Sequence, residues 1–249
     1  MNREDLTYFF VNRKFNELLN LYQMKIRFFL FMVVCLIFNQ AIYAQGKIHR
    51  EDTEWANFWM VNVNDHDLPH ILMIGNSITQ RYSPLVADAL KGKAYCSRLT
   101  TSKSLGDPFY LKEVEMALAH NNYQVIHFNN GLHGRDYTED EFIRDFSKLY
   151  KLIKKYAPKA RLVWATITPV RDKQKLDILD NFNNRVIERN KRVLAYLKGK
   201  DLMINDLYSI LIDRPDLYSV GDGIHPNDKG NKLLSEQVIN QISKLLEHN

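Results

Sequence analysis

Two short segments near opposite ends of the chain carry groups that together could make a nucleophile. Gly75-Asn76-Ser77-Ile78 places a serine hydroxyl directly after the apolar run His70-Ile71-Leu72-Met73-Ile74, at a turn where glycine lets the backbone approach closely. A serine so placed either attacks an electrophile or serves as a helix N-cap, the commoner role. Asp222-Gly223-Ile224-His225-Pro226 supplies the partners an attacking serine needs. An imidazole must take the hydroxyl proton, and a carboxylate must hold that imidazole in the right tautomer. A spacing of three lets Asp222 reach His225 within one loop, although a turn aspartate beside a surface histidine would read the same. A metal bound by Asp222 and His225 would lack a third nearby ligand, so no metal is expected.

These residues need a scaffold. Short apolar runs predict strands over about 70–74, 94–99, 125–128, 162–165 and 202–204. Ser83-Pro84 reads as the opening of a helix that Gly92 closes, and Asp107-Pro108 opens one running to about Asn121. Thr138 and Glu141 form a capping box for a helix ending near Tyr156. A long helical pattern covers about Leu176 to Leu197, and Asn227 caps a terminal helix to Leu246. This alternation implies a three-layer α/β/α domain around a mostly parallel, five-stranded sheet. Ahead of it, Trp55, Phe58 and Trp59 at i, i+3, i+4 spacing predict a short helix over the core edge, or a platform for stacking a sugar ring.

In such sheets ligands bind beyond the carboxyl ends of the strands. Ser77, Gly106, the run Asn129 to Gly134, the run Thr166 to Arg171 and the loop Asp222 to His225 all fall on that rim. Asn129, Tyr82 and Arg171 are candidate pocket residues, with Arg171 suited to an anionic group such as a uronate. His127 lies six residues before His133, roughly 20 Å away along an extended strand, so the two share no metal. It reads as a hydrogen-bonded core histidine.

The set Ser77, Asp222 and His225 resembles the SGNH, or GDSL-like, hydrolases, whose signature is four short blocks spread over one flavodoxin-like domain. Gly75-Asn76-Ser77-Ile78 is similar to the first block and Asp222-Gly223-Ile224-His225 to the last. The resemblance implies Ser77 as nucleophile, His225 as base, Asp222 as its orienting carboxylate and no cofactor. It also implies an oxyanion hole built from the amides of Ser77 and Gly106, the glycine of Ser104-Leu105-Gly106-Asp107. Asn76 stands where the family usually has Asp; both make similar local hydrogen bonds. The third block is normally G-x-N-D, with the Asn amide donating to the oxyanion, whereas this chain reads Asn129-Asn130-Gly131-Leu132-His133-Gly134. Three readings follow. His133 replaces the amide, since a neutral imidazole N–H donates if its tautomer is fixed; Asn130 reaches the hole instead; or the hole is incomplete and activity is low.

The chain has 249 residues, 45% hydrophobic and 25% charged, as in folded soluble domains, with a net charge of +5. Two cysteines are too few for a disulfide scaffold. Lys25 and Arg27, the 11-residue apolar run Phe28 to Phe38, and Ala44 before Gln45 have the order of an export signal, and the run is too short for a span of about 20 residues. The organisation read from this is an upstream segment over 1–23 ahead of a start at Met24, a signal peptide over 24–44, a lead-in over 45–69 and the hydrolase domain over 70–249. Residues 1–44 hold five basic and three acidic groups, so the exported chain keeps a charge of +3 and gives no support to nucleic-acid binding. The expected partner is a small-molecule or glycan ester, with no membrane span left after cleavage. A carbohydrate O-acetylesterase is the activity the family resemblance favours. A non-catalytic glycan-binding module on the same fold, with Trp55 and Trp59 as its platform, is the rival.

Overall fold

The computed structural model describes residues 19–33 and 50–247. The chain forms two compact units, Met1–Lys47 and Ile48–Asn249. In the first, residues 19–33 are helical, with Phe28, Phe29 and Phe31 exposed. The proposed cleavage position and most of the upstream segment lie outside the described residues. Among the described residues, no helix is long and apolar enough to cross a membrane.

The second unit holds a six-stranded sheet, one strand more than expected. The strands are β1 (Ala56–Trp59), β2 (His70–Gly75), β3 (Tyr95–Thr101), β4 (Val125–Phe128), β5 (Arg161–Ala165) and β6 (Met203–Asn205). The helices are α1 (Ser77–Ala89), α2 (Pro108–Leu118), α3 (Glu139–Tyr156), α4 (Phe182–Leu197), α5 (Leu207–Leu211) and α6 (Asp228–Glu247). The order across the sheet is β1-β3-β2-β4-β5-β6, parallel throughout except for β1, which runs antiparallel to β3. Every residue of β2 and β4 is buried, as strands covered by helices on both faces must be. Between β4, β5 and α3, Trp164 packs edge-on against Phe146 at 4.9 Å and Phe128 at 5.3 Å between ring centroids.

The extra strand corrects the helical reading of Trp55, Phe58 and Trp59. With period-2 alternation, Phe58 sits opposite Leu99 and packs on the core, while Trp59 sits opposite Arg98 and stays exposed. The Arg98 guanidinium lies over the Trp59 ring at 5.2 Å. Three aromatics within five residues fit either period, and pairing with the free edge of β3 selects the strand.

Two helix starts also differ from expectation. The first helix begins at Ser77, not at Ser83-Pro84, because Asn76 is its N-cap and accepts from the Ile78 amide at 3.0 Å. The buried face Ile78, Tyr82, Val86 runs straight past Pro84, which lies inside the helix. The helix expected from Leu176 begins at Phe182 instead. Asp172 accepts from the amides of Gln174 and Lys175, and Asp180 from that of Phe182, which turns residues 172–180 into a loop. The Thr138–Glu141 capping box and the Asp107 cap of α2 form as expected.

Candidate active site

Sheet order decides which loops meet. The chain leaves β2 for β3 on one side and then returns to β4 on the other, so the carboxyl ends of β2 and β4 flank the switch point where such folds open a crevice. Ser77 follows β2, and the run from Asn129 follows β4. The amide of Asn129 donates to the carbonyl of Ile74 at 2.9 Å, which fixes the register of the two loops. Packing of α1 against α6 then brings in the other end of the chain.

Ser77 is the first residue of α1, and Asn76 does the capping, so the serine hydroxyl is free of that task. A side chain at Gly75 would place its Cβ 2.0 Å from Thr79 Oγ1, so only glycine lets the first turn close this tightly on the strand. Ser77 Oγ lies 2.7 Å from His225 Nε2, and His225 Nδ1 lies 2.7 Å from Asp222 Oδ2. The second oxygen of Asp222 accepts from the amides of Ile224 at 3.0 Å and His225 at 3.1 Å. Burial works to raise the Asp222 carboxyl, but the hydrogen bonds from the His225 ring and these two amides outweigh it and hold the group below the ordinary carboxylate range. A carboxylate fixed this way keeps Nδ1 protonated and leaves Nε2 to accept the serine proton.

The residues expected on the oxyanion side fall on three loops. As the first residue of a helix, Ser77 has an amide with no intrahelical acceptor. Gly106 lies in the loop between β3 and α2, which a Ser104 to Asp107 turn closes at 3.1 Å. Asn130 is fully buried and its amide donates to the carbonyl of Lys103 at 2.9 Å, so it ties the Gly106 loop to the third block instead of facing a substrate. His133 is partly exposed, and its Nδ1 lies 2.5 Å from Glu51 Oε1. Together with Arg50, Glu54, Ser104 and Arg135 these two line a cavity of about 230 Å³ with polar side chains, which holds none of Ser77, Gly106 or His225.

The remaining pocket expectations are corrected by burial. Tyr82 is buried, with its hydroxyl 3.0 Å from Thr79 Oγ1. Asn129 donates to the carbonyl of Ala165 at 2.7 Å. Arg171 is buried, stacks on Tyr218 and donates to the carbonyls of Leu176, Leu211 and Ile212, so no anionic group can reach it. It serves the site through its backbone, whose amide donates to the carbonyl of Gly223 at 2.8 Å. His127 is buried, with Nε2 3.1 Å from the side-chain amide of Asn205. A groove of about 630 Å³ between α1 and α6 is lined by Arg81, Leu85 and Ile239 and holds none of Ser77, Asp222 or His225.

Three residues of this neighbourhood escaped the sequence reading. Arg50 pairs with Asp107 at 2.8 Å, Glu51 with His133, and Arg189 holds the third block from beneath. The first two sit in a lead-in whose only pattern was aromatic, and the third is one of several arginines in a helical stretch.

No family model matches the chain, and no curated protein matches it in sequence. Solved structures do share its fold. A GDSL-like lipase from Bacteroides thetaiotaomicron is 16% identical with a TM-score of 0.57, over 70% of this chain and 88% of the lipase. A carbohydrate esterase of family 3 from Talaromyces cellulolyticus is 13% identical with a TM-score of 0.56, over 73% of this chain and 100% of the esterase. A member of the lipolytic G-D-S-L family from Veillonella parvula is 16% identical with a TM-score of 0.58, over 70% of this chain and 98% of that one. At these identities the likeness establishes the fold, which is that of the SGNH hydrolases.

Proposed function

We propose that the chain is an exported serine esterase of the SGNH type that hydrolyses short acyl esters, with O-acetylated carbohydrate as its substrate class. The observation that carries this reading is the unbroken hydrogen-bonded relay from Asp222 through His225 to Ser77 Oγ, both links at 2.7 Å. In the proposed reaction Ser77 Oγ attacks the ester carbonyl while His225 Nε2 takes its proton. The carbonyl electron pair moves onto oxygen, where the Ser77 and Gly106 amides and the His133 ring receive it. Collapse expels the alcohol, protonated by His225. Water, deprotonated by the same imidazole, then cleaves the acyl-serine and restores the hydroxyl. The carbohydrate part of the reading is supported by the polar cavity beside His133 and by the fold shared with a carbohydrate esterase. The export part rests on the charged and apolar pattern of residues 24–44.

The test is hydrolysis of p-nitrophenyl acetate by the chain from Gln45 onward, beside Ser77→Ala, with fluorophosphonate labelling read by intact mass. An adduct and turnover in the parent, both absent in the variant, establish the serine esterase. A folded parent with neither would overturn it and turn attention to glycan binding at Trp59.

A further inference from the structure

Arg171 is a buried cation whose guanidinium spends its hydrogen bonds on backbone carbonyls. Nη1 donates to the carbonyl of Leu176 at 2.7 Å, and Nη2 donates to those of Leu211, at 3.2 Å, and Ile212. The last two close α5, where a helix has carbonyls without donors of its own. That helix is fixed to the sheet in turn, since the Tyr208 amide donates at 2.9 Å to Oγ1 of Thr166, the residue after β5. The guanidinium also lies over the Tyr218 ring at 5.3 Å, and the Tyr218 hydroxyl donates to the carbonyl of Pro169 at 2.9 Å. Only a flat fork of donors reaches several acceptors while lying on a ring; an ammonium does not.

We infer that Arg171 is a positioning residue: it bolts residues 169–173 to α5, and that segment holds Asp222 in line with His225 and Ser77. This rests on the esterase reading above. Asp222 stands between two backbone hydrogen bonds to the segment. The amide of Gly221 donates to the carbonyl of Lys173 at 2.8 Å, and the amide of Arg171 donates to the carbonyl of Gly223 at 2.8 Å. Both glycines have positive φ, +92° and +72°, so the chain on either side of Asp222 has little stiffness of its own and takes its path from what holds it. At the ends of the same loop Tyr218 pairs with Pro226, the residue after His225. Arg171 therefore touches the loop at its middle through its amide and at its start through the Tyr218 ring. The relay is two links in series, each 2.7 Å. A displaced Asp222 turns the His225 ring at Nδ1 and takes Nε2 off Ser77 Oγ.

The experiment compares the parent with Arg171→Lys, with Tyr218→Phe, and with a core control, Phe146→Leu, whose ring packs on Phe128, Trp164 and Tyr196. Each is measured for p-nitrophenyl acetate turnover, fluorophosphonate labelling of Ser77, urea stability, and the downfield proton resonance of His225 Nδ1–H. Arg171→Lys should lose roughly 100-fold in kcat, the scale of a 1 Å misplacement, with KM changed by less than about threefold. Labelling should slow in parallel, and the resonance should move upfield as the bond to Asp222 lengthens. Tyr218→Phe should move all three the same way by less. Phe146→Leu should lose stability but keep the parent's kcat, labelling rate and resonance. A folded Arg171→Lys with the parent's kcat and resonance overturns the inference. Should that variant not fold, the parent's kcat and resonance in Tyr218→Phe overturn it instead. A loss of kcat in Phe146→Leu equal to that in Arg171→Lys also overturns it, because stability alone would then explain both. A parent without turnover or serine adduct overturns the esterase reading, and the resonance still decides whether Arg171 holds Asp222 against His225.

Discussion

Arg189 Nη1 donates to the carbonyl of Gly131 at 2.7 Å from a side chain that is wholly buried. Its Nη2 reaches the carbonyl of Gly134 at 2.9 Å, and its guanidinium lies between 4.8 and 5.2 Å from the rings of Tyr137, Phe142 and Phe182. A helix on one face of the sheet thus holds the loop that presents His133. Desolvation lowers the Arg189 pKa, and Tyr137 and the Glu139 carboxylate, 3.5 Å from Nε, work in the other direction.

Arg189→Met should therefore cost more than packing. It leaves the buried carbonyl of Gly131 and the part-buried carbonyl of Gly134 without their donors, each worth about 1–3 kcal/mol, so a stability loss near 3 kcal/mol is expected by urea denaturation. Turnover of p-nitrophenyl acetate should fall as well, since the loop loses its anchor. A loss under about 0.5 kcal/mol, the scale of ordinary surface changes, would refute the clamp.

Gly223 tests the other side of the site. Its φ of +72° lies in the left-handed region, and a Cβ there would stand 2.2 Å from the carbonyl oxygen of Arg171. Gly223→Ala should cost about 1–3 kcal/mol. It should also slow fluorophosphonate labelling of Ser77, because relief of the clash moves the Asp222 to His225 loop. Unchanged labelling would mean that the loop tolerates the shift.

His127 makes a prediction about acid. Burial pushes this imidazole down from 6.5 to about 4, so the folded protein keeps it neutral where the unfolded chain takes a proton. The unfolded state binds more protons between those two values, and stability is lost as pH falls through that window, by ~2 kcal/mol at pH 5. His127→Gln, which can still accept from Asn205, should lose less stability between pH 7 and pH 5 than the parent does. Equal losses would show that His127 is not the group responsible.

Most of the parallel strands were legible because they are short, largely apolar runs bounded by turn residues, although β3 (Tyr95–Thr101) mixes in polar residues, and the relay residues because a fixed spacing, Asp222 to His225, carried their chemistry. β1 was not legible: its four residues depend on pairing with β3, 39 to 45 residues further along the chain, and their aromatics also fit a helix. Glu51 and Arg189 could not be read either. One is a single acid in a polar lead-in and the other a single arginine among several on α4. Their importance comes from what lies opposite them in space, which no local pattern records. Arg171 and Tyr82 erred the other way, since following a strand places a residue near the rim without saying which way its side chain turns.

The contact between Ser77 and His225 closes a loop of 148 residues. Contacts of such long range form only once the intervening chain has folded, because the entropy of closing the loop must be met by packing already in place. Until α6 docks against α1, Ser77 is an ordinary alcohol. The nascent chain would thus carry an unarmed serine, and reactivity toward a fluorophosphonate would report when the last helix has seated.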